Sequence, residues 1–305
     1  MARVTAPAAE ALLDQEIRVL DRGFVRLIDY MGGDESIVQA ARVSYGAGTK
    51  SVREDRGLVN YLMRHRHTTP FEMVELKFHV KLPIFVARQW IRHRTANVNE
   101  QSLRYSIMPD EFYVPDEKAI GLQSRSNRQG REAEAVSPEL RARVLAILTG
   151  VPESVYPLYQ ELIEAGLARE LARIALPVSA YTEWYWKINL HNLLHFISLR
   201  ADAHAQHEIR EYAKALATCA NAVAPHAYAA FEEYQLNATV LSEHESRITS
   251  KLLNGEDVTW EDFAYFDESF LNKDGGVSKT LLNRHAELEQ KLGVSVPVAE
   301  PSDPV

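Results

Sequence analysis

The chain has 305 residues, of which 46% are hydrophobic and 25% charged, an ordinary composition for a soluble globular protein of one large domain or two modest ones. Its 42 acidic residues outnumber its 34 basic ones, and the net charge of -8 argues against general binding to nucleic acid, which needs a basic surface. The single cysteine, Cys219, excludes an intramolecular disulfide and a zinc site built from cysteines.

The sequence predicts neither a targeting segment nor a membrane span. Residues 1–14 are rich in alanine and include an acid before any long apolar run, unlike a signal peptide. The apolar stretch over residues 176–186 contains Pro177 and Glu183, which argue against a transmembrane helix. We therefore expect a cytoplasmic protein with no membrane part and no nucleic-acid partner.

The first third of the chain is predicted to contain a hairpin, two helices and a strand. Apolar and β-branched residues on either side of Gly23 predict a hairpin over Ile17–Met31. Helices are predicted from Asp34 onward and over Ser51–Arg66, where apolar residues recur at helical spacing. Apolar and polar residues alternate over Met73–Leu82, which is typical of a half-exposed antiparallel strand.

The middle of the chain is predicted to be less regular. Pro83 begins a predicted helix whose end carries residues 92–94, and Phe112–Val114 is predicted to be a short strand. Ala119–Ala135 is polar and aperiodic, which indicates a surface loop or an insertion. A helix with Ser137 as its N-cap is predicted to be interrupted near residues 150–152 and to end at residue 166.

The last part is predicted to be mainly helical. A short helix over residues 168–176 and an aromatic strand over residues 178–187 precede helices over residues 189–199 and 204–223. Beyond Gln235 the pattern weakens, with some helix near residues 281–292. The elements together predict an α+β fold, a mostly antiparallel sheet flanked by helices, with one domain over residues 1–239 and an extension of unknown role over residues 240–305.

Residues 88–105, with the sequence RQWIRHRTANVNEQSLRY, form a basic segment in an acidic chain. Guanidinium groups next to amides suit phosphates and planar polar rings. A solvated helix end, stabilised by the helix dipole, is the competing interpretation. The compact mixture of arginine with Gln, Asn, Glu and Ser favours a site for a small anionic ligand.

Two groups of histidines are weaker candidates. His67, with Glu72 after it, lies before a predicted strand and either belongs to a site or caps a helix end. His191 and His195 share one helix face, and two further histidines follow at residues 204 and 207. Such pairs can bind zinc or iron, but the glutamate of the zinc-protease motif is missing, and we expect no metal.

Two arginines and the cysteine complete the candidates. Arg173 and Arg200 each follow apolar residues, so each needs a ligand or a carboxylate, and Asp202 is a ready ion-pair partner for Arg200. Cys219 lies in mid-helix among alanines with no positive neighbour, which predicts an inert buried thiol.

Arg92-His93-Arg94, followed after seven residues by Ser102, resembles the signature of the flavin-dependent thymidylate synthases, the thymidylate synthase-complementing protein family. The flanking residues 89–91 and 99–105 resemble it too. Further stretches resemble family motifs in the family order: residues 40–44, 67–72, 173–177 and 199–206. The resemblance covers about Leu20 to Glu233.

The resemblance implies the reductive methylation of dUMP to dTMP. Methylenetetrahydrofolate donates the carbon unit, NADPH reduces bound FAD, the flavin supplies the hydride, and no cysteine attacks the uracil. It also implies a homotetramer with active sites shared between subunits. Residues 1–239 would then be the catalytic domain, with residues 119–135 as a loop insertion.

The resemblance also implies roles for single residues. Arg200 would be catalytic, stabilising negative charge on the uracil N3–C4 face, and Ser102 would bind phosphate rather than act as a nucleophile. The implied dUMP ligands are Gln89, Trp90, Ile91, Arg92, Glu100, Gln101, Ser102, Leu103, Arg104, Arg173 and Arg200. The implied FAD ligands are Ser44, His67, Thr69, Arg92, His93, Arg94, Glu100, Asn189, Leu190, His191 and His195.

Two residues depart from the family pattern. Leu103 stands where the family often has glycine, and Val98 where an aromatic residue is frequent.

Two other functions compete with the one that the resemblance implies. A non-catalytic protein that binds nucleotides or RNA through the basic segment is the first alternative, although the acidic balance of the chain counts against it. A histidine-rich metallohydrolase is the second.

Overall fold

The computed structural model describes residues 4–43, 52–123, 131–132, 136–265 and 276–299. The chain divides into two compact units, Met1–Leu236 and Asn237–Val305. The first is built on a large core around an antiparallel sheet with helices, so the predicted α+β class is confirmed. The second has its own smaller core, which includes Ile248, Phe263 and Leu288.

The strands of the structure match the predicted hairpin and the predicted alternating strand. They are β1 (Glu16–Val19), β2 (Gly23–Met31), β3 (Glu75–Pro83), β4 (Asn97–Glu100), β5 (Leu122–Gln123), β6 (Arg131–Glu132) and β7 (Tyr181–Asn189). Five of them form one antiparallel sheet in the order β1-β2-β3-β7-β4, and β5 pairs with β6 separately. The hairpin closes at Gly23, where a Cβ would meet the Tyr212 hydroxyl at 2.0 Å, so a side chain is excluded there.

Helices follow most of the predicted segments. They are α1 (Pro7–Glu10), α2 (Asp34–Arg42), α3 (Val52–Arg64), α4 (Ile84–Trp90), α5 (Pro138–Glu164), α6 (Arg169–Ala172), α7 (Leu190–Arg200), α8 (His207–Val223), α9 (Pro225–Phe231), α10 (Glu243–Asn254), α11 (Trp260–Phe263) and α12 (Lys279–Leu292). Within the described residues, no helix is long and apolar enough to cross a membrane.

One face of the sheet carries the core of the first unit. Phe78 of β3 and Trp186 of β7 are buried and pack on each other, and Trp90 of α4 and Phe196 of α7 pack over them. The other face is lined with polar and charged pairs, among them the Lys77–Asp29 ion pair at 3.5 Å and the contact of His79 Nε2 with Glu183 Oε2 at 2.7 Å. This division follows from the alternation of apolar and polar residues along β3. The packing places the ends of α4 and α7 side by side.

Two local predictions were wrong. Helix α5 continues through residues 150–152, because an interior proline removes one backbone hydrogen bond while the turns on either side remain bonded. Phe112–Val114 is not a strand but makes a single bridge to Ala180. Its neighbouring N–H groups bond elsewhere: Tyr113 N–H donates to Ser179 O, and Val114 N–H donates to the Asp21 carboxylate.

Candidate active site

Arg200 and His93 meet where two helices end. Arg200 is the last residue of α7, and His93 follows the end of α4. Arg200 Nε donates a hydrogen bond to His93 Nε2 at 3.0 Å, and both side chains are half-buried. The alternative partner of Arg200, Asp202, instead accepts hydrogen bonds from the backbone and the ring of His204. Arg200 thus keeps its charge without an ion pair to Asp202.

The environment keeps His93 neutral. Burial, together with the smaller effects of the charges of Arg200 and His195, lowers the pKa of His93 from 6.5 to about 4. Burial also lowers the pKa of Arg200. A neutral imidazole that accepts from Arg200 orients the guanidinium without cancelling its charge, which suits an anionic or charge-developing ligand.

The pKa of His93 predicts a pH dependence of stability. Because the folded chain binds the His93 proton only near pH 4, the unfolded chain takes up this proton first as the pH falls. The contribution of neutral His93 to the free energy of unfolding is therefore fully present above pH 6.5 and is lost progressively between pH 6.5 and about 4. We expect His93→Gln to remove this part of the pH slope in urea-unfolding series. Parallel curves for the two proteins would contradict the assignment.

Helix α7 connects this pair with the loop before β3. Asn189 caps the helix, since its Oδ1 accepts hydrogen bonds from the backbone and the side chain of Asn192, both at 2.9 Å. His191 is half-buried and lies with His67 in the wall of one small pocket. Burial lowers the pKa of His191, while the charge of Glu72 opposes that shift. Thus α7 presents candidate ligands from its first residue to its last.

The turn at Ser102 lies beside the segment that carries Arg173. Arg104 Nε lies 3.3 Å from a carboxylate oxygen of Glu170, and Arg169 donates a hydrogen bond to Tyr105 O. Arg173 is half-buried immediately after α6. These contacts bring together two predicted dUMP-binding segments that are far apart in the chain.

Strand β4 fixes the basic segment to the edge of the sheet. Thr182 Oγ1 donates to Glu100 Oε1 at 2.8 Å, and Gln101 N–H donates to Glu183 O at 2.8 Å. Ser102 then forms a turn, in which its Oγ accepts a hydrogen bond from the Arg104 N–H at 3.3 Å. The sheet thereby sets the position of residues 100–104.

A cleft of about 260 Å³ lies between the end of α4 and the sheet. Its lining comprises Trp90, Ile91, His93, Arg94, Ala96, Val98, Trp184 and Trp186. The indole N–H groups of Trp90 and Trp184 are buried, and neither has a hydrogen-bond partner among the described residues. Flat apolar walls with a cationic rim at Arg94 fit a planar heterocycle. The volume is below the roughly 300–1,000 Å³ of whole-ligand pockets, so the cleft fits part of a dinucleotide.

The remaining predicted ligands differ in exposure. Arg92, Arg94 and His195 are exposed, as are His67 and Thr69. Leu190 is fully buried and its N–H donates to Val74 O at 2.7 Å, so its side chain belongs to the core. Ser44 lies outside the described residues. Within those residues, no three His, Cys, Asp or Glu side chains are grouped as ligands for a metal ion.

One buried carboxylate near the site was not predicted. Glu208 of α8 is 1% exposed and accepts hydrogen bonds from Tyr113 Oη at 3.0 Å, from Gln206 Nε2 at 2.8 Å and from Arg131. Burial alone would raise the pKa of Glu208, but these partners outweigh it and the pKa lies below its ordinary value. No sequence signal indicated this burial, because an acidic residue in the first turn of a helix is ordinarily exposed and favoured there by the helix dipole. Glu208 joins three segments that flank the predicted ligands.

A family model described as thymidylate synthase complementing protein matches residues 26–226. The chain belongs to the thymidylate synthase complementing protein family. A flavin-dependent thymidylate synthase of Rickettsia conorii is 55% identical over 271 residues, covering 85% of this chain and 92% of the relative. Its counterpart from Ruegeria pomeroyi is 57% identical over 263 residues, covering 85% and 87% of the two chains. The predicted family is confirmed.

A solved member of similar fold agrees with this assignment. The UMP/dUMP methylase PolB from Streptomyces cacaoi, bound with 5-Br dUMP, superposes with a TM-score of 0.64 at 34% identity. The match covers 98% of that chain but 72% of this one. The matched fold therefore spans almost all of PolB, and this chain is the longer of the two.

Proposed function

We propose that the protein is a flavin-dependent thymidylate synthase that methylates dUMP to dTMP. Two relatives that are more than 50% identical to this chain, over most of their own length, carry that name. The observation in the site that supports the proposal best is the Arg200–His93 pair. A guanidinium held by a neutral imidazole, beside an arginine-rich turn, offers positive charge to an anionic pyrimidine nucleotide without a nucleophile.

The turn at Ser102 is assigned to the phosphate of dUMP. Its hydroxyl, together with the guanidinium groups of Arg104 and Arg173, offers hydrogen bonds and positive charge. Because Glu170 contacts Arg104, the nucleotide phosphate competes with that carboxylate for the arginine. Further contacts to dUMP are assigned to Gln89, Trp90, Ile91, Arg92, Glu100, Gln101 and Leu103. Arg200 faces the uracil and stabilises the negative charge that develops there.

The cleft lined by tryptophans is assigned to FAD. When bound, FAD supplies the hydride that completes the methyl group. His93 and Arg94 border the cleft. The contacts are completed by Arg92, Glu100, Asn189, His191, His195 and the backbone near Leu190. His67, Thr69 and Ser44 are assigned to the same cofactor. Because the cleft accommodates only part of FAD, the rest lies over exposed residues and a neighbouring subunit.

The further partners are methylenetetrahydrofolate as carbon donor and NADPH as reductant, in a cytoplasmic homotetramer with shared active sites. The exposure of several assigned ligands supports this assembly, since exposed arginines and histidines hold a cofactor poorly until another surface excludes water.

Cys219 takes no part in the reaction. It is fully buried, and burial raises the pKa of its thiol to about 12, so it carries no thiolate at neutral pH. We expect Cys219→Ala to keep turnover within about two-fold of the wild type, with a stability loss of about 1–2 kcal/mol from the removed buried sulfur. A steady-state assay tests this. Loss of turnover at unchanged flavin content would overturn the assignment.

An absorbance spectrum followed by a dUMP titration tests the proposed function. The purified protein should carry the two flavin absorption bands or acquire them with added FAD, and dUMP should perturb them. A colourless protein that takes up no FAD contradicts the proposal. Steeply salt-dependent binding to RNA without flavin would favour the nucleotide-binding alternative, and a stoichiometric metal would favour the hydrolase.

A further inference from the structure

Helix α5 exposes an apolar stripe along its whole length. Of its 27 residues only three are buried, namely Pro152, Tyr156 and Tyr159, and all three lie in its second half. Five large apolar residues are 39–58% exposed: Leu140, Ile147, Val151, Leu158 and Leu162. At about 100° per residue these five side chains fall within roughly 40° of one line along the helix. That line lies roughly 120° around the helix from the buried face. The helix therefore has two apolar faces, and its own unit covers one of them.

The spacing of the stripe is that of a helix-pairing seam. With the half-exposed Val144 and Val155, apolar residues recur at steps of about three and four. A continuous apolar stripe of this length is a feature of interfaces rather than of solvated surfaces. The first half of α5, which has no buried residue, depends on such a cover.

The stripe is symmetric about its centre. Three pairs of seam residues are equidistant from Val151: Leu140 with Leu162, Val144 with Leu158, and Ile147 with Val155. Two antiparallel copies of α5 would therefore place like-sized apolar residues opposite each other, with Val151 against itself.

Charges beside the stripe favour the same orientation. Arg143 and Glu161 lie on the same flank, one on each side of the centre, and neither has an ion-pair partner among the described residues. In an antiparallel pair, Arg143 faces Glu161 of the partner subunit, and the reverse contact forms as well. A parallel pair would place the two copies of this flank on opposite sides of the seam, so neither contact could form.

We propose that α5 is an interface between two copies of this chain, packed antiparallel about a two-fold axis near Val151. The proposal is independent of the flavin chemistry. Because α5 ends shortly before α6, this arrangement brings a second subunit close to the segment that carries Arg173. It therefore identifies one of the surfaces through which subunits could share a site.

Sedimentation of the full chain tests the interface. Ile147→Glu combined with Leu158→Glu should raise the dissociation constant for assembly at least about 100-fold, visible as a species of half the mass or less. The matched control is Leu253→Glu on α10, which is 83% exposed and should leave the mass unchanged. Circular dichroism checks that the variants are folded. A folded double variant with wild-type mass overturns the proposal.

Charge exchange and cross-linking test the orientation. Arg143→Glu and Glu161→Arg should each weaken assembly at least about 10-fold, and the double variant should restore it. Val151→Cys should form a disulfide with its own copy on oxidation, whereas Leu140→Cys alone should not, since antiparallel packing separates the two copies of residue 140 by about 33 Å. No restoration by the exchange, or cross-linking at residue 140, overturns the antiparallel arrangement.

Discussion

Replacing Arg200 by alanine should lower turnover about 100- to 1,000-fold while the flavin stays bound, the range found when one preorganised donor to developing charge is removed. Arg200 is held by His93 at 3.0 Å, has no ion pair to Asp202 and is assigned to the uracil of dUMP. Steady-state kinetics and the flavin absorbance of the same sample measure the two effects separately. Arg18→Ala, at a side chain that is 78% exposed, is the control.

The pKa of His93 gives a second readout, which separates the loss of the Arg200 charge from a structural disturbance. Because the charge of Arg200 is one cause of the low pKa of His93, Arg200→Ala should raise that pKa toward its ordinary value, as followed by NMR titration. Arg200→Lys should keep part of the charge effect but not the Nε geometry. Loss of flavin in Arg200→Ala would show that the division between cofactor and substrate ligands is wrong.

Replacing Glu208 by alanine should destabilise the protein by about 2–4 kcal/mol, because the donors on Tyr113, Gln206 and Arg131 lose a shared buried acceptor. The matched control is Glu211→Ala, which removes an exposed pair with Lys214 and should cost less than about 1 kcal/mol. Urea unfolding measures both. Equal costs would contradict the role given to Glu208.

The lowered pKa of Glu208 also predicts that the protein loses stability in acid. Its pKa lies below 4.5 in the folded protein, so its stabilisation is complete above pH 4.5 and is lost as the pH falls through the folded value. Glu208→Gln should flatten the unfolding free energy in that range. In addition, the dUMP affinity of Glu208→Ala should fall more than its flavin content, since Gln206 and Tyr113 follow closely in the chain after Arg200 and Arg104, which are assigned to dUMP.

The sequence predicted elements well where a local pattern dictates them. The alternation along β3 gives its buried and exposed faces directly, and Ser137 caps α5 as its position before Pro138 indicated. Helices α10 and α11 were missed, although Ser242 and Glu245 form a capping box that the sequence displays. Their apolar residues are sparse, because a small core needs few of them.

The site could be predicted only as far as its family motifs reach. Arg200 and His93 are 107 positions apart, and their contact depends on how α4 and α7 pack on the sheet. The same holds for Arg104 beside Glu170. The arginine at residue 131 lies in a stretch with no periodicity, so nothing local indicated that it bonds Glu208.

Tritium release from 5-tritiated dUMP tests the central claim most directly. With flavin-loaded protein, methylenetetrahydrofolate and NADPH, release should accompany formation of dTMP, and omission of FAD from a flavin-free sample should abolish both. Cys219→Ala serves as a parallel sample that lacks the only thiol of the chain. Equal release and dTMP formation by flavin-free protein would contradict a flavin-dependent thymidylate synthase.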